Sequence, residues 1–348
     1  MKRISLIYLL ILLVVQPIFC QKKYDIKTIA FYNLENLFDI VDDTLKLDES
    51  SPIMAIKENR AAIYQLKLNN MAKVLSEIGV DEAKNSPVII GVAEIENYAV
   101  LEDLVNTSFL KDKQYSIIHY DSPDMRGIDV GFLYQTSHFK PIYHEIFELR
   151  LWGDDGYRIY TRDQLLVSGY LGDELIHIIV NHWPSRLGGE AKSRSKREKA
   201  AYLNTQIIAK IKETDPNPKI ILMGDLNDDP TNSSLKKILK TKAKKSDVEA
   251  GDIYNPMEDL FRRGQNTLAY RDNINLFDQI MFTSPLLTTE NDFSSYKMYK
   301  TAIFKPQYLT TQTGKYKGYP FRSWGNGGFT GGYSDHYPVY LYLIKEVF

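Results

Sequence analysis

Lys219-Ile-Ile-Leu-Met223, followed at once by Gly224-Asp-Leu-Asn-Asp228, is an apolar run that stops on a glycine and a cluster of acids and amides. A short unbroken apolar run bounded by turn formers reads as a β-strand buried on both faces. The same form recurs along the chain: Thr28-Ile-Ala-Phe-Tyr32 into Asn33, Val88-Ile-Ile-Gly-Val92 into Glu94, Ile128-Asp-Val-Gly-Phe-Leu-Tyr134, Leu175-Ile-His-Ile-Ile-Val180 into Asn181-His182, Phe277-Asp-Gln-Ile-Met-Phe282 and Val339-Tyr-Leu-Tyr-Leu343. Between these runs, Glu58 to Ile78, Ser193 to Lys212 and Ser233 to Leu239 carry apolar residues three and four apart and read as helices. Doubly buried strands with helices to cover them predict a layered α/β protein.

Composition bounds the function. The 348 residues carry 43 Lys+Arg and 44 Asp+Glu, a net charge of −1, so no global basic excess points to nucleic acid. A single cysteine, Cys20, excludes a disulfide framework and a cysteine-rich zinc site. It lies in a segment with its own grammar: Lys2-Arg3, an apolar run from Ile4 to Val15, then Pro17-Ile-Phe-Cys20 before Gln21-Lys22-Lys23. That order predicts a secretory signal peptide over residues 1–20 and a secreted or periplasmic protein, with a lipid anchor on Cys20 as the alternative. The apolar run is too short to span a membrane. With no composition break downstream, residues 21–348 read as one catalytic domain.

Chemistry gathers where the apolar runs end. Glu94, Asp335 and Asn33 are hard oxygen donors of the number Mg²⁺ takes when it keeps waters and accepts the rest from a phosphate. Asp225, with Asn227 two residues on, can orient and deprotonate a water, while His182 and His336 can donate to phosphate oxygens. Serine-hydrolase chemistry is the competing reading, and no Gly-x-Ser-x-Gly elbow is present.

Seven motifs in order, Asn33-Leu-Glu-Asn36, Gly91-Val-Ala-Glu94, Arg126-Gly-Ile-Asp-Val130, Asn181-His-Trp-Pro-Ser185, Gly224-Asp-Leu-Asn227, Phe277-Asp-Gln279 and Ser334-Asp-His336, resemble the endonuclease/exonuclease/phosphatase superfamily over residues 28 to 343. The resemblance implies a four-layer α/β/β/α sandwich with two central mixed β-sheets and Mg²⁺-dependent phosphoric ester hydrolysis, Mn²⁺ being the alternative metal. It implies Glu94 as principal metal ligand, with Asn33, Asp335 and Glu35 near the metal. Asp225 would activate the water, with Asn227 positioning it. His336, held by Asp278, would contact the phosphate or share the base role, and His182 would stabilise a non-bridging oxygen. Arg126, Asn181, Ser185 and Arg186 would lie on the substrate side.

The fold leaves the substrate open. From Phe293 to Tyr333 there are six Lys or Arg, no Asp or Glu, and eleven aromatic residues. Cations interleaved with stacking rings suit a nucleic acid, so a secreted nuclease is the expected function. A phospholipid or sphingomyelin phosphodiesterase is the alternative, disfavoured because no exposed apolar hairpin is evident. A non-catalytic binding protein on the same scaffold is the second alternative, opposed by the intact site. No protein partner is evident.

Overall fold

The computed structural model describes residues 22–288 and 290–347; the signal-peptide and Cys20 readings lie outside them. Twelve strands make two six-stranded sheets. One contains β1 (Lys23–Leu37), β2 (Ile89–Ile95), β3 (Tyr115–His119), β4 (Asp129–Gln135), β11 (Lys297–Ile303) and β12 (Val339–Val347), in the order β11-β12-β1-β2-β4-β3. The other contains β5 (Phe139–Phe147), β6 (Gln164–Leu171), β7 (Glu174–His182), β8 (Ile220–Asp225), β9 (Ile253–Tyr254) and β10 (Asp278–Thr283), in the order β9-β10-β8-β7-β6-β5. Both sheets are mixed. β1 runs parallel to β2 and β7 parallel to β8, while the remaining neighbours are antiparallel.

Alternation along the strands builds the layers. Ile29, Phe31 and Ile89 of the first sheet share a core with Ile178, Val180, Ile221, Met223, Ile280 and Phe282 of the second. Their neighbours Ala30, Tyr32, Ile90 and Val92 face the opposite way, onto α1 (Arg60–Glu77) and α2 (Tyr98–Val105), through Leu68, Met71, Leu75, Leu101 and Leu104. Ile179, Ile220 and Leu222 face outward onto Ala200, Ala201, Ile207 and Ile211 of α3 (Glu190–Lys212). The α/β/β/α sandwich is therefore present, each buried aliphatic side chain contributing about 1.5–3 kcal/mol. Among the described residues no helix is long and apolar enough to cross a membrane.

Seven strands and two long helices fall where the apolar runs place them, with bounds shifted by a few residues. Within Ser233–Leu239 the expected helix is present as a short one of the wide π type, Ser234–Ile238, closed by the Leu239 N–H on the Ser234 carbonyl. Five strands carry weaker signals, the shortest being β9 with two residues. β6 opens on Gln164 and is broken by Ser168-Gly169, while β3 is short; β5 and β11 hold polar and exposed positions because β5 is a sheet edge and β11 pairs only with β12.

Gly224 shows how tightly β8 is seated. It pairs with Asn181 across the parallel β7–β8 ladder, and a methyl group on it would overlap the Asn181 carbonyl. Gly224→Ala is expected to lower stability by about 3 kcal/mol or more in urea unfolding, because backbone and not a flexible side chain would have to move.

Candidate active site

The topology brings the polar strand ends together. Parallel strands end at the same edge, so Asn33 of β1 and Glu94 of β2 share a rim with His182 of β7 and Asp225 of β8. Asp225 pairs with His182 on one side and with Asp278, the first residue of antiparallel β10, on the other. β12 begins at Val339 opposite Phe31, which sets the preceding Asp335-His336 beside Asn33. Irregular register at Asn33/Leu37 and Ala93/Ile95 marks bulges. Within them Glu35, Asn36 and Glu94 take left-handed backbone, φ 48°, 54° and 58°. Such strain in non-glycine residues persists only where surroundings fix it, and here it aims side chains over the rim.

Asn33 is fully buried, and its Oδ1 accepts the Glu35 N–H at 2.9 Å. Its Nδ2 therefore faces the carboxylates and donates to Glu94 Oε1 and Asp225 Oδ2, both at 3.2 Å. The expectation of Asn33 as an oxygen ligand is corrected: it presents an N–H and bridges two acids. Glu94, Asp225 and His182 each offer a ligand atom within 4.8 Å of one another. His182 Nε2 lies 3.6 Å from Asp225 Oδ2 and 3.9 Å from Glu94 Oε1. Burial, then Arg162, Arg126 and His336, push the His182 imidazole well below its usual pKa, so it is neutral. Two carboxylates and a neutral imidazole suit a divalent cation.

His336 is the opposite case. Burial opposes its charged form, but Asp278, bonded to Nδ1 at 2.7 Å, together with Asp225 and Asp335, raises its pKa well above the ordinary value. It stands as an imidazolium donor and not as a base. Asp225 lies between the two histidines, its Oδ2 3.9 Å from His336 Nε2. Burial raises its pKa to about 7, with His336 pulling the other way and Asp278 pushing it up. A carboxylate so poised can take a proton from water near neutral pH. Asn227, at φ 50°, donates its backbone N–H to Asp225 Oδ1 at 2.9 Å and its Nδ2 to the Trp183 carbonyl at 3.0 Å, so it orients the base.

Other expected residues stand elsewhere. Glu35 is buried and accepts from Arg322 Nε at 3.1 Å, while Asp335 Oδ2 accepts from Arg322 Nη2 at 3.3 Å. Neither belongs to the Glu94 group. Asn181 is corrected from a substrate contact to a packing residue: next to His182 in β7 it faces the other way, accepting from Trp183 Nε1 at 3.0 Å and from Asn204 Nδ2 of α3 at 2.7 Å. Arg186 is likewise turned inward. It bonds the Asn227 carbonyl, Asp228, Asp229 and Asn232 and stacks 4.3 Å over Phe277. Ser185 is exposed, and Arg126 is half-exposed beside Asp124. Sequence reading missed Arg162, which is buried and donates to the Trp183 carbonyl at 2.6 Å and Asp124 Oδ2 at 3.2 Å, adding positive charge beside His182. Its signal was Thr161-Arg162-Asp163 at the head of the overlooked β6.

Residues 28–345 match the profile of the Endonuclease/Exonuclease/phosphatase family. The chain belongs to that family. Its members hydrolyse phosphoric esters with divalent metal, and the Glu94–Asp225–His182 group fits such an ion. No curated protein matches the chain in sequence. Among solved structures it is similar to an endonuclease/exonuclease/phosphatase family protein from Bacteroides thetaiotaomicron, at 16% identity and TM-score 0.53, over 94% of this chain and 100% of that one. It is also similar to a humanized TDP2 from D. rerio, at 15% and 0.52 over 92% and 99%. A mannosyl-6-phosphatase from Bacteroides thetaiotaomicron is similar at 16% and 0.51 over 92% and 100%.

Two outcomes separate binding from packing. Glu94→Gln is expected to raise the metal concentration for half-maximal hydrolysis by about tenfold or more, since a charged ligand is lost. Asn181→Ala is expected to lower stability by about 2 kcal/mol in denaturant titration, through unpaired buried donors, and to leave KM unchanged.

Proposed function

We propose that the chain is a secreted, divalent-metal-dependent nuclease that hydrolyses phosphodiesters of DNA or RNA. The observation that carries the hydrolytic chemistry is the placement of buried Asp225 between two buried histidines, 3.6 Å from His182 Nε2 and 3.9 Å from His336 Nε2. A divalent ion held by Glu94, with His182 beside it, Mg²⁺ preferred and Mn²⁺ the alternative, would supply Lewis-acid charge to the phosphate and leave Asp225 as the base. Asp225, oriented by Asn227, takes the proton of the attacking water. His336, fixed by Asp278, donates to the phosphoryl oxygens as negative charge builds. Arg162 and Arg126 add positive charge on the His182 side.

The basic and aromatic segment from Phe293 to Tyr333 contributes less than its composition suggests. Tyr296 and Trp324 are buried, Tyr308 bonds Glu77 and packs on Tyr333, and Phe321 packs on Tyr333. Lys297 and Lys300 pair near Ile344 and Tyr342, toward the end of the sheet away from the site. What remains for a polyanion is half-exposed Arg322 and the exposed loop with Lys315, Tyr316 and Lys317. A hairpin formed by Leu151–Trp152 and Arg158–Ile159 adds exposed Trp152, Tyr157 and Tyr160, with Arg158 stacked on Trp152 and Tyr160. It precedes β6 by a few residues and so leaves the sheet at the His182 end. The same hairpin is the observation in favour of a lipid phosphodiesterase, although Arg150, Asp154, Asp155 and Arg158 make it polar for a membrane.

Purified protein is assayed on plasmid, single-stranded DNA, RNA and sphingomyelin vesicles, with and without chelator. Nucleic acid cleavage that stops with chelator and returns with Mg²⁺ or Mn²⁺ is expected. Catalytically impaired Asp225→Asn protein is then titrated with a labelled oligonucleotide at several salt concentrations. Binding should weaken steeply with salt, and Lys315→Ala with Lys317→Ala should flatten the log-log slope by up to about two units. A flat salt response together with vesicle-dependent turnover would replace this reading with the lipid one.

A further inference from the structure

Arg322 joins two carboxylates that the sequence assigned to the metal. Its Nε donates to Glu35 Oε1 at 3.1 Å and its Nη2 to Asp335 Oδ2 at 3.3 Å. The mount is built from below. Glu35 is almost fully buried and also accepts the N–H groups of Ser323 at 2.5 Å and Trp324 at 3.4 Å. Lys67 of α1, equally buried, donates to the Leu34 and Glu35 carbonyls, each at 2.9 Å, and to Ser323 Oγ at 2.7 Å. Burying an ammonium and a carboxylate together is a poor way to gain stability. It is a good way to hold the 34–35 and 322–324 segments, and with them one guanidinium, in a fixed place.

The Arg322 side chain is half-exposed, at 52%. Glu35 and Asp335 use two of its N–H groups, and three of the five such donors an arginine carries stay available. Those donors border the site. Asp335 Oδ1 is 3.9 Å from His336 Nε2, and Glu94 is among the acids whose attraction favours the charged Arg322. A planar fork with free N–H groups beside a metal-binding cluster matches a phosphate oxygen.

We propose that Arg322 is the fixed second cation of this active site: it binds a non-bridging oxygen of the substrate phosphate and, by occupying Glu35 and Asp335, limits the site to one divalent ion. The inference rests on phosphoric ester hydrolysis at the Glu94–Asp225–His182 group and is independent of whether the substrate is a nucleic acid.

The test counts ions and measures phosphate affinity, so it does not depend on knowing the substrate. Mn²⁺ is titrated into the full chain and followed by electron paramagnetic resonance, and inorganic phosphate is titrated into the Mn²⁺-loaded protein by calorimetry. The wild type should bind one Mn²⁺. Arg322→Gln frees Glu35 and Asp335 and should bind two, while its phosphate affinity falls by about tenfold or more and turnover of bis-p-nitrophenyl phosphate by about 10²-fold. Arg322→Lys keeps a charge but cannot span both carboxylates, and it carries the same readings in smaller size if the glutamine variant does not fold. Two Mn²⁺ per wild-type chain, an unchanged count in the variants, or unchanged phosphate affinity overturns the proposal. A wild type that binds one Mn²⁺ and phosphate as described but cleaves no nucleic acid overturns the nuclease reading alone.

Discussion

One amide nitrogen ties the two sheets together at the candidate active site. Asn33 belongs to the first sheet and donates to Glu94 of that sheet and to Asp225 of the other. Two carboxylates brought close in a buried rim repel one another, and an N–H shared between them offsets part of that repulsion while fixing their spacing. The rest of the rim is set from there. Asp225 fixes the distances to His182 and His336, Asn227 orients Asp225, and the Asn33 carbonyl receives Ser334 Oγ, which seats the Asp335-His336 turn.

The two histidines show how surroundings, and not residue type, assign a chemical role. Both are buried on the same rim within 4 Å of Asp225. Burial, reinforced by Arg162 and Arg126, disfavours the proton on His182; His336 has Asp278 on Nδ1 and keeps it. A Lewis base for a cation and an acid for a phosphoryl oxygen are thus made from the same side chain on opposite flanks of one carboxylate.

The fold was legible in the sequence because doubly buried strands leave continuous apolar runs that end on polar residues. Glu94, His182, Asp225, Asp278 and His336 were legible for the same reason, each standing at the end of such a run or beside its start. Residues whose role depends on parity or partnership were not. Asn181 and His182 are adjacent and polar, and only the strand's alternation decides that one faces α3 and the other the site. Arg186 and Arg322 are both arginines beside catalytic motifs. Acids from the 228–232 loop capture one, whereas Glu35 and Asp335 present the other to the rim, a difference set by contacts distant in sequence. The aromatic-rich segment misled for a related reason: composition records the rings but not whether a ring finds a core.

The pairing of β1 with β12 has a practical corollary. Lys23 lies opposite Val347, and Lys22 pairs with Glu346 at 2.8 Å, so both ends of the described chain meet at one pole of the first sheet. Asn33 is ten residues further along the same strand, which at strand spacing is about 30 Å away. Cargo fused at either end, whether a fluorescent protein, an affinity handle or a surface tether, would be carried on the far side of the molecule and leave the catalytic rim facing open solution.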